Sequence, residues 1–159
     1  MAIAPRGYCP ADGARIERVT VAFRDDDASW NLLDRVADIC QRTGSTLRLV
    51  TYALRHRSMV TSTVRASEDF VFQQWRQQAA DAQAEAIEHL AEVGYGAGTV
   101  ETIIAEGRSW EEATDAVEWR PGDLLVVGSS STHRLAQVFL GSSAAKIVRS
   151  SPVPVVVVP

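Results

Sequence analysis

Gly128-Ser129-Ser130-Ser131-Thr132 follows the apolar run Leu124-Leu125-Val126-Val127, and Gly141-Ser142-Ser143 begins thirteen residues after Gly128. Residues of this kind suit the capture of anionic oxygen. Glycine lets the backbone approach a ligand closely and tolerates positive φ. Backbone N–H groups in a small-residue loop, together with the first turn of a helix, make a cradle for phosphate. The hydroxyls of Ser131, Ser142 and Ser143 add donors. The same glycines also suit a purely structural part, making turns and a tight helix–sheet contact. Spacing alone leaves both readings open.

Other polar residues offer less. Arg134, inside the loop, can approach a phosphate as a charged donor. Its neighbour His133 has no legible Asp or nucleophile beside it, so no residue is assigned a catalytic role. Asp25-Asp26-Asp27 is rich in carboxylate oxygen, the ligand of hard cations. Consecutive turn residues seldom point at one ion, so a solvated turn is the favoured reading and no metal site is assigned. Arg55-His56-Arg57 is the one compact basic cluster and reads as a solvated loop. Cys9 and Cys40 have neither disulfide-framework nor metal-site spacing and read as reduced thiols of a cytoplasmic protein.

These residues need elements to position them. Arg18 to Phe23 is a short β-rich run. Ser29 is a candidate N-cap for a helix from Trp30 to about Arg42, with Leu33, Val36, Ala37 and Cys40 on one face. Thr46 to Ala53 reads as a second strand. Ser67-Glu68-Asp69 suits the start of a long helix. Its apolar stripe runs through Val71, Trp75, Ala79, Ala82, Ala86, Leu90 and Val93, with Trp75 expected in the core. Thr99 to Ala105 reads as a third strand. Ser109 and Glu112 form a capping box for a helix to about Trp119. Leu124 to Val127 is a fourth strand, apolar throughout as a strand buried on both faces should be. A last helix covers about Ser142 to Arg149, and Val155 to Val158 is a fifth strand framed by prolines.

Strands alternating with helices imply a parallel sheet with right-handed crossovers and helices on both faces, a three-layer α/β/α domain. In such sheets ligands bind outside the carboxyl ends of the strands. Residues 1–17, rich in Pro, Gly and Ala, read as an irregular leader or linker, and residues 18–159 as the domain.

The totals agree with one domain. The chain has 159 residues, 46% hydrophobic and 23% charged, which is globular composition. Its net charge of −4 argues against a general nucleic-acid binder. No apolar run reaches the ~20 residues of a membrane span. The N-terminus lacks both the basic and the long apolar regions of a signal peptide.

From Arg18 to Pro159 the sequence resembles the universal stress protein family. Nucleotide-binding members carry Gly, two residues, Gly, nine residues, then Gly-Ser or Gly-Thr. Here the frame is Gly128, two residues, Ser131, nine residues, then Gly141-Ser142. Ala144-Ala145-Lys146-Ile147-Val148 and Pro152-Val153-Pro154-Val155 also resemble the family's last helix and closing strand. The resemblance implies a five-stranded parallel sheet of order 3-2-1-4-5, of the adenine nucleotide alpha hydrolase-like kind. It implies ATP or AMP, with Mg²⁺, at the strand ends. The phosphates would lie against Gly128, Ser131, Gly141, Ser142 and Ser143. The base would sit near Ala22, Phe23, Arg24, Val127 and Tyr52. It implies a homodimer paired through the last strand, or pairing with a sister domain of a tandem protein.

This chain departs from the family pattern at two places. Arg24 stands where an Asp usually follows the first strand, and Ser131 replaces a glycine. Tyr52, about where a small residue usually meets the base, either stacks on adenine or fills its pocket. The leading expectation is therefore a stress-response or regulatory domain that binds an adenine nucleotide with little or no hydrolysis, a slow ATPase at most. The alternative is a non-nucleotide interaction module acting through dimerisation or partner binding. Ala2-Ile3-Ala4-Pro5 resembles the end of a closing strand such as Val155 to Pro159. That similarity raises the expectation that the chain is the second half of a tandem protein.

Overall fold

The computed structural model describes residues 1–10, 13–55, 62–96, 100–129 and 141–159, with the backbone alone for residues 62–68. The elements in chain order are β1 (Ala2–Ile3), β2 (Arg18–Ala22), α1 (Asp27–Thr43), β3 (Thr46–Leu54), α2 (Ser62–Glu92), β4 (Val100–Gly107), α3 (Trp110–Asp115), β5 (Asp123–Gly128), α4 (Ser142–Ser150) and β6 (Val155–Val158). They build one sheet of order β1-β6-β5-β2-β3-β4. All neighbours are parallel except β1, which runs antiparallel to β6. Five strands thus take the expected 3-2-1-4-5 order, and β1 is added as a sixth at one edge.

The layers follow from the pleat. Alternate residues of a strand point to opposite faces. Val19, Val21, Leu47, Leu49 and Val126 face α1 and α2. Val50, Leu125, Val127, Val155 and Val157 pack with Ala144, Ile147 and Val117 on the opposite face. On α1, Leu33, Val36, Ala37 and Cys40 are buried, the face expected from their spacing. Burial pushes the Cys40 thiol up to about 11, so it behaves as a small core residue.

Helix ends show the local chemistry. Asp26, not Ser29, is the N-cap of α1: its backbone is extended and its carboxylate accepts from the Ser29 amide at 2.9 Å. The helix therefore starts at Asp27, three residues before Trp30. Gly44, at φ 72°, closes it in the left-handed conformation that favours glycine. Ser109 caps α3 and accepts from the Glu112 amide, while Glu112 reaches back to the Arg108 amide at 2.6 Å. The α3 helix ends at Asp115, short of Trp119.

Two expectations need correction. The leader is not wholly irregular, since Ala2 and Ile3 join the sheet. The long helix begins at Ser62, so Glu68 and Asp69 lie past its first turn and Ser67 is not its cap. Its stripe is buried only toward the C-terminal end. Ala82, Ala86 and Leu90 are buried, whereas Val71 and Val93 are exposed and Trp75, 36% exposed, stacks on Phe72 rather than on the core. In this part of the helix Phe72 takes the Arg55 guanidinium over its ring at 4.0 Å and Arg76 meets Glu106 at 3.3 Å.

A buried charge cluster crosses the amino ends of the central strands. Asp123 accepts from Arg18 Nε at 2.9 Å and Nη2 at 2.7 Å, and from the Arg120 amide. Arg48, 1% exposed, donates to Thr20 Oγ1 and to the Glu118 carbonyl. Its Nη2 lies 3.6 Å from Asp123 and its guanidinium covers the Trp119 ring at 5.1 Å. Burial lowers the Arg48 pKa, with Arg18 adding to the effect. The hydrogen bonds that Arg18 donates to Asp123 raise its own.

Candidate functional site

The carboxyl ends of β2, β3, β4 and β5 meet at the end of the sheet opposite this cluster. Ala22 closes β2 across from Val50, one residue beyond the Val21–Val126 pair. Arg55 N–H donates to the Gly107 carbonyl and ties the exits of β3 and β4 together. Ser129 N–H donates to Val158 O at 2.8 Å and carries β5 past its last residue. Parallel strands end at a common level, and α4 begins just beyond β5 in the chain.

The α4 terminus differs from the other described caps. Asp26 and Ser109 each turn a side-chain oxygen onto their helix's first turn. Gly141, the N-cap of α4, has no side chain to do so. First-turn N–H groups have no intrahelical partner, and the helix dipole places positive potential there. Ser142 is exposed and Ser143 half-buried, so two hydroxyls border this turn. Gly128, half-buried, ends β5, and a Cβ added to it would rest in ordinary contact with Leu32 Cδ2 at 3.7 Å. An oxyanion is what such a terminus accepts most readily. Ser131, His133 and Arg134 lie outside the described residues.

Around the expected base position the side chains take different directions. Ala22, half-buried, Tyr52 and Val127 belong to the face that packs on α3 and α4. Phe23 points to the other face: it is 1% exposed and meets Trp30 edge-on at 5.2 Å. Its N–H donates to Val50 O and its carbonyl accepts from Thr51 Oγ1, so its polar groups are engaged as well. Tyr52 packs its ring on Trp110 at 5.8 Å. Burial pushes its phenol up to about 12, against the pull of Thr114 and Arg48 beside it.

Arg24 is exposed and turns back on Asp26, with contacts of 3.2 and 2.8 Å. Asp25 accepts from Trp30 Nε1 at 3.0 Å. Burial raises the Asp26 pKa, but hydrogen bonds from Ser29 and Arg24 outweigh it and hold the carboxyl below its ordinary value. The two acids nearest the β2 exit therefore organise the start of α1. Among the described residues, no three His, Cys, Asp or Glu side chains are grouped to hold a metal ion.

Sequence reasoning missed the Arg18–Arg48–Asp123 cluster. The available signal was Arg48 inside the apolar run TLRLVTYA, where a charge on a covered strand requires a partner.

Comparison with known proteins places this geometry in a family. The description "Universal stress protein family" matches residues 15–159. Universal stress protein Rv2319c of Mycobacterium tuberculosis is 35% identical over 161 residues, covering 100% of this chain and 53% of that protein. The chain thus spans about half the length of the curated relatives it matches. Among solved structures, universal stress protein UspA from Lactobacillus plantarum shares the fold with a TM-score of 0.72 at 22% identity, over 92% of this chain and 99% of that one. The Archaeoglobus fulgidus universal stress protein in complex with dAMP aligns with a TM-score of 0.56 at 15% identity, over 92% and 99%. A universal stress protein in complex with cAMP aligns with a TM-score of 0.54 at 22% identity, over 90% and 96%. The sheet order, the helices on both faces and the match over nearly the whole chain lead to one conclusion: this chain belongs to the universal stress protein family.

Proposed function

We propose that this domain is a stress-response regulatory module that binds an adenine nucleotide, ATP or AMP, with little or no hydrolysis. The observation that carries the reading is the α4 terminus, whose N-cap is a glycine that makes no side-chain cap, the kind of helix start that accepts an oxyanion. The phosphates lie against Gly128, Ser131, Gly141, Ser142 and Ser143. The adenine lies over Ala22 and Val127, bordered by Tyr52, with the Phe23–Arg24 backbone at its edge. Fold neighbours crystallised with dAMP and cAMP support the ligand class. Asp25 and Asp26, the acids nearest the β2 exit, are engaged at the start of α1 and not free to activate water, which suits binding more than turnover. Asp25 and Asp26 serve α1, so any Mg²⁺ is held chiefly by the phosphates and water, as is common for this ion.

A second reading, an interaction module that binds no nucleotide, is favoured by Arg24 at the β2 exit and by Tyr52 packed under α3. Calorimetry with ATP, ADP and AMP in the presence of Mg²⁺ separates the two. Heat of binding that disappears in Gly141→Val supports the nucleotide site, and silence at millimolar nucleotide supports the interaction module. In either reading the domain works in the cytoplasm and pairs through β6, with a second copy or with a tandem sister. No helix among the described residues is long and apolar enough to cross a membrane.

A further inference from the structure

We propose that the layer between β3 and α3 holds an interior anion site, in which Arg48, Tyr52 and Thr114 donate to one small monovalent anion such as chloride. The inference starts from three orphaned atoms. Among the described residues, Arg48 Nη2, Tyr52 OH and Thr114 Oγ1 are enclosed yet have no hydrogen-bond partner. Buried polar groups are nearly always paired, and an exception calls for a bound ion or water.

The three atoms belong to one layer. Arg48 and Tyr52 stand four residues apart on β3, so both leave the sheet on the face that packs on α3. Thr114, fully buried, sits on α3 itself. Trp119 links them: the Arg48 guanidinium covers its ring at 5.1 Å, and its Nε1 donates to the Thr114 carbonyl at 2.8 Å. The Tyr52 phenol lies close enough to Thr114 and Arg48 for both to act on its titration.

Donor chemistry and charge select the ligand. A guanidinium can only donate, and the two hydroxyls can turn to donate. The phenol keeps its proton, because burial pushes its pKa up to about 12. Three donors require an acceptor. Arg18 takes both oxygens of Asp123, at 2.9 and 2.7 Å, and also meets Glu101 at 3.0 Å. Arg48 reaches Asp123 only at 3.6 Å, beyond hydrogen-bond length. Its Nε and Nη1 contacts are with neutral acceptors, Thr20 Oγ1 and the Glu118 carbonyl. The Glu101 side chain is 57% exposed, so water and salt screen its charge. Two enclosed guanidinium groups thus share one enclosed carboxylate. A buried cation without its own counter-charge is unfavourable. A monovalent anion completes the count, whereas a dianion exceeds it and water satisfies the donors without the charge. The bound ion braces α3 on β3 and, through Tyr52, the border of the strand-end rim.

Thermal unfolding by circular dichroism tests this in sodium chloride or bromide against sodium gluconate, whose anion is too bulky to enter, at matched ionic strength. For the parent, Tm in halide relative to gluconate should rise with concentration and then saturate. Chloride at 100 times its dissociation constant corresponds to a rise of about 5–10 °C for a domain of this size. Tyr52→Phe and Thr114→Val each remove one donor with the shape kept. Each should raise the half-saturating chloride concentration about tenfold. Arg48→Met should abolish the response, and where it fails to fold the two milder variants decide. A crystal soaked in bromide should show an anomalous peak in contact with Arg48 Nη2. Equal Tm in halide and gluconate, a halide response unchanged in Tyr52→Phe and Thr114→Val, or water at that place with no anomalous signal would each overturn the anion site.

Discussion

Asp123 holds two buried guanidinium groups, Arg18 by a bidentate contact and Arg48 at 3.6 Å. Removing its charge strands both. Breaking a buried ion pair on one side costs about 3–5 kcal/mol, because the remaining charge stays desolvated. Asp123→Asn should lower unfolding stability by about that amount in urea titration. A loss below about 1 kcal/mol would mean that water already reaches the cluster. Asp26 gives a pH signature. Its folded pKa lies below the unfolded value of about 3.9, so its contribution is present above that value and lost as pH falls through the folded pKa. The difference in melting temperature between the parent and Asp26→Asn should be constant from neutral pH to about pH 5 and shrink below about pH 4. A difference that stays constant into strong acid would contradict the capping role.

Close approach between elements sets the geometry around the candidate site. Gly107 ends β4 directly against α3: a Cβ there would lie 2.3 Å from the Ala113 amide nitrogen and 2.8 Å from its Cα. Those are backbone atoms, so α3 would have to move. Gly107→Ala should therefore cost about 1–3 kcal/mol, readable by thermal unfolding. An unchanged melting temperature would show that α3 shifts freely.

Element identity was legible where pattern and cap agreed. The alternating strand–helix order, the face of α1 and the Ser109–Glu112 box could all be read from the sequence. The start of α1 was less legible because four polar residues compete for one cap, and Asp26 takes it with an extended backbone. The start of α2 was obscured because Ser67-Glu68-Asp69 looks like a cap yet lies within the helix. The exposed Val71 and Trp75 show that an apolar stripe at helical spacing need not be covered along its whole length. Around the candidate site, the places of Gly128 at a strand end and Gly141 at a helix start could be read, but side-chain directions could not. Phe23 directly follows Ala22, the last residue of β2, and packs on the opposite face.

At the scale of the whole molecule, the two ends of the sheet divide the labour. The amino ends carry the salt-bridged cluster that fixes β2, β3 and β5 to each other. The carboxyl ends carry Ala22, Gly128 and the α4 terminus beside exposed ion pairs, Arg24–Asp26 and Arg55–Glu106 among them. In α/β sheets this is the end at which ligand sites form. Gly128 at that end pairs with Val158 on β6, the strand that β1 covers, so the carboxyl rim and the sheet edge share one strand pair.

The central claim is nucleotide binding at that rim, and isothermal calorimetry tests it most directly. Gly141 has φ −56° and ψ 156°, an extended conformation open to valine, so Gly141→Val should leave the fold intact by circular dichroism while filling the approach to α4. The parent should bind ATP or AMP with a Kd no weaker than about millimolar, and Gly141→Val should lose at least tenfold, about 1.4 kcal/mol. No heat from the parent with ATP, ADP or AMP at millimolar concentration, or equal affinity in Gly141→Val, would contradict the account.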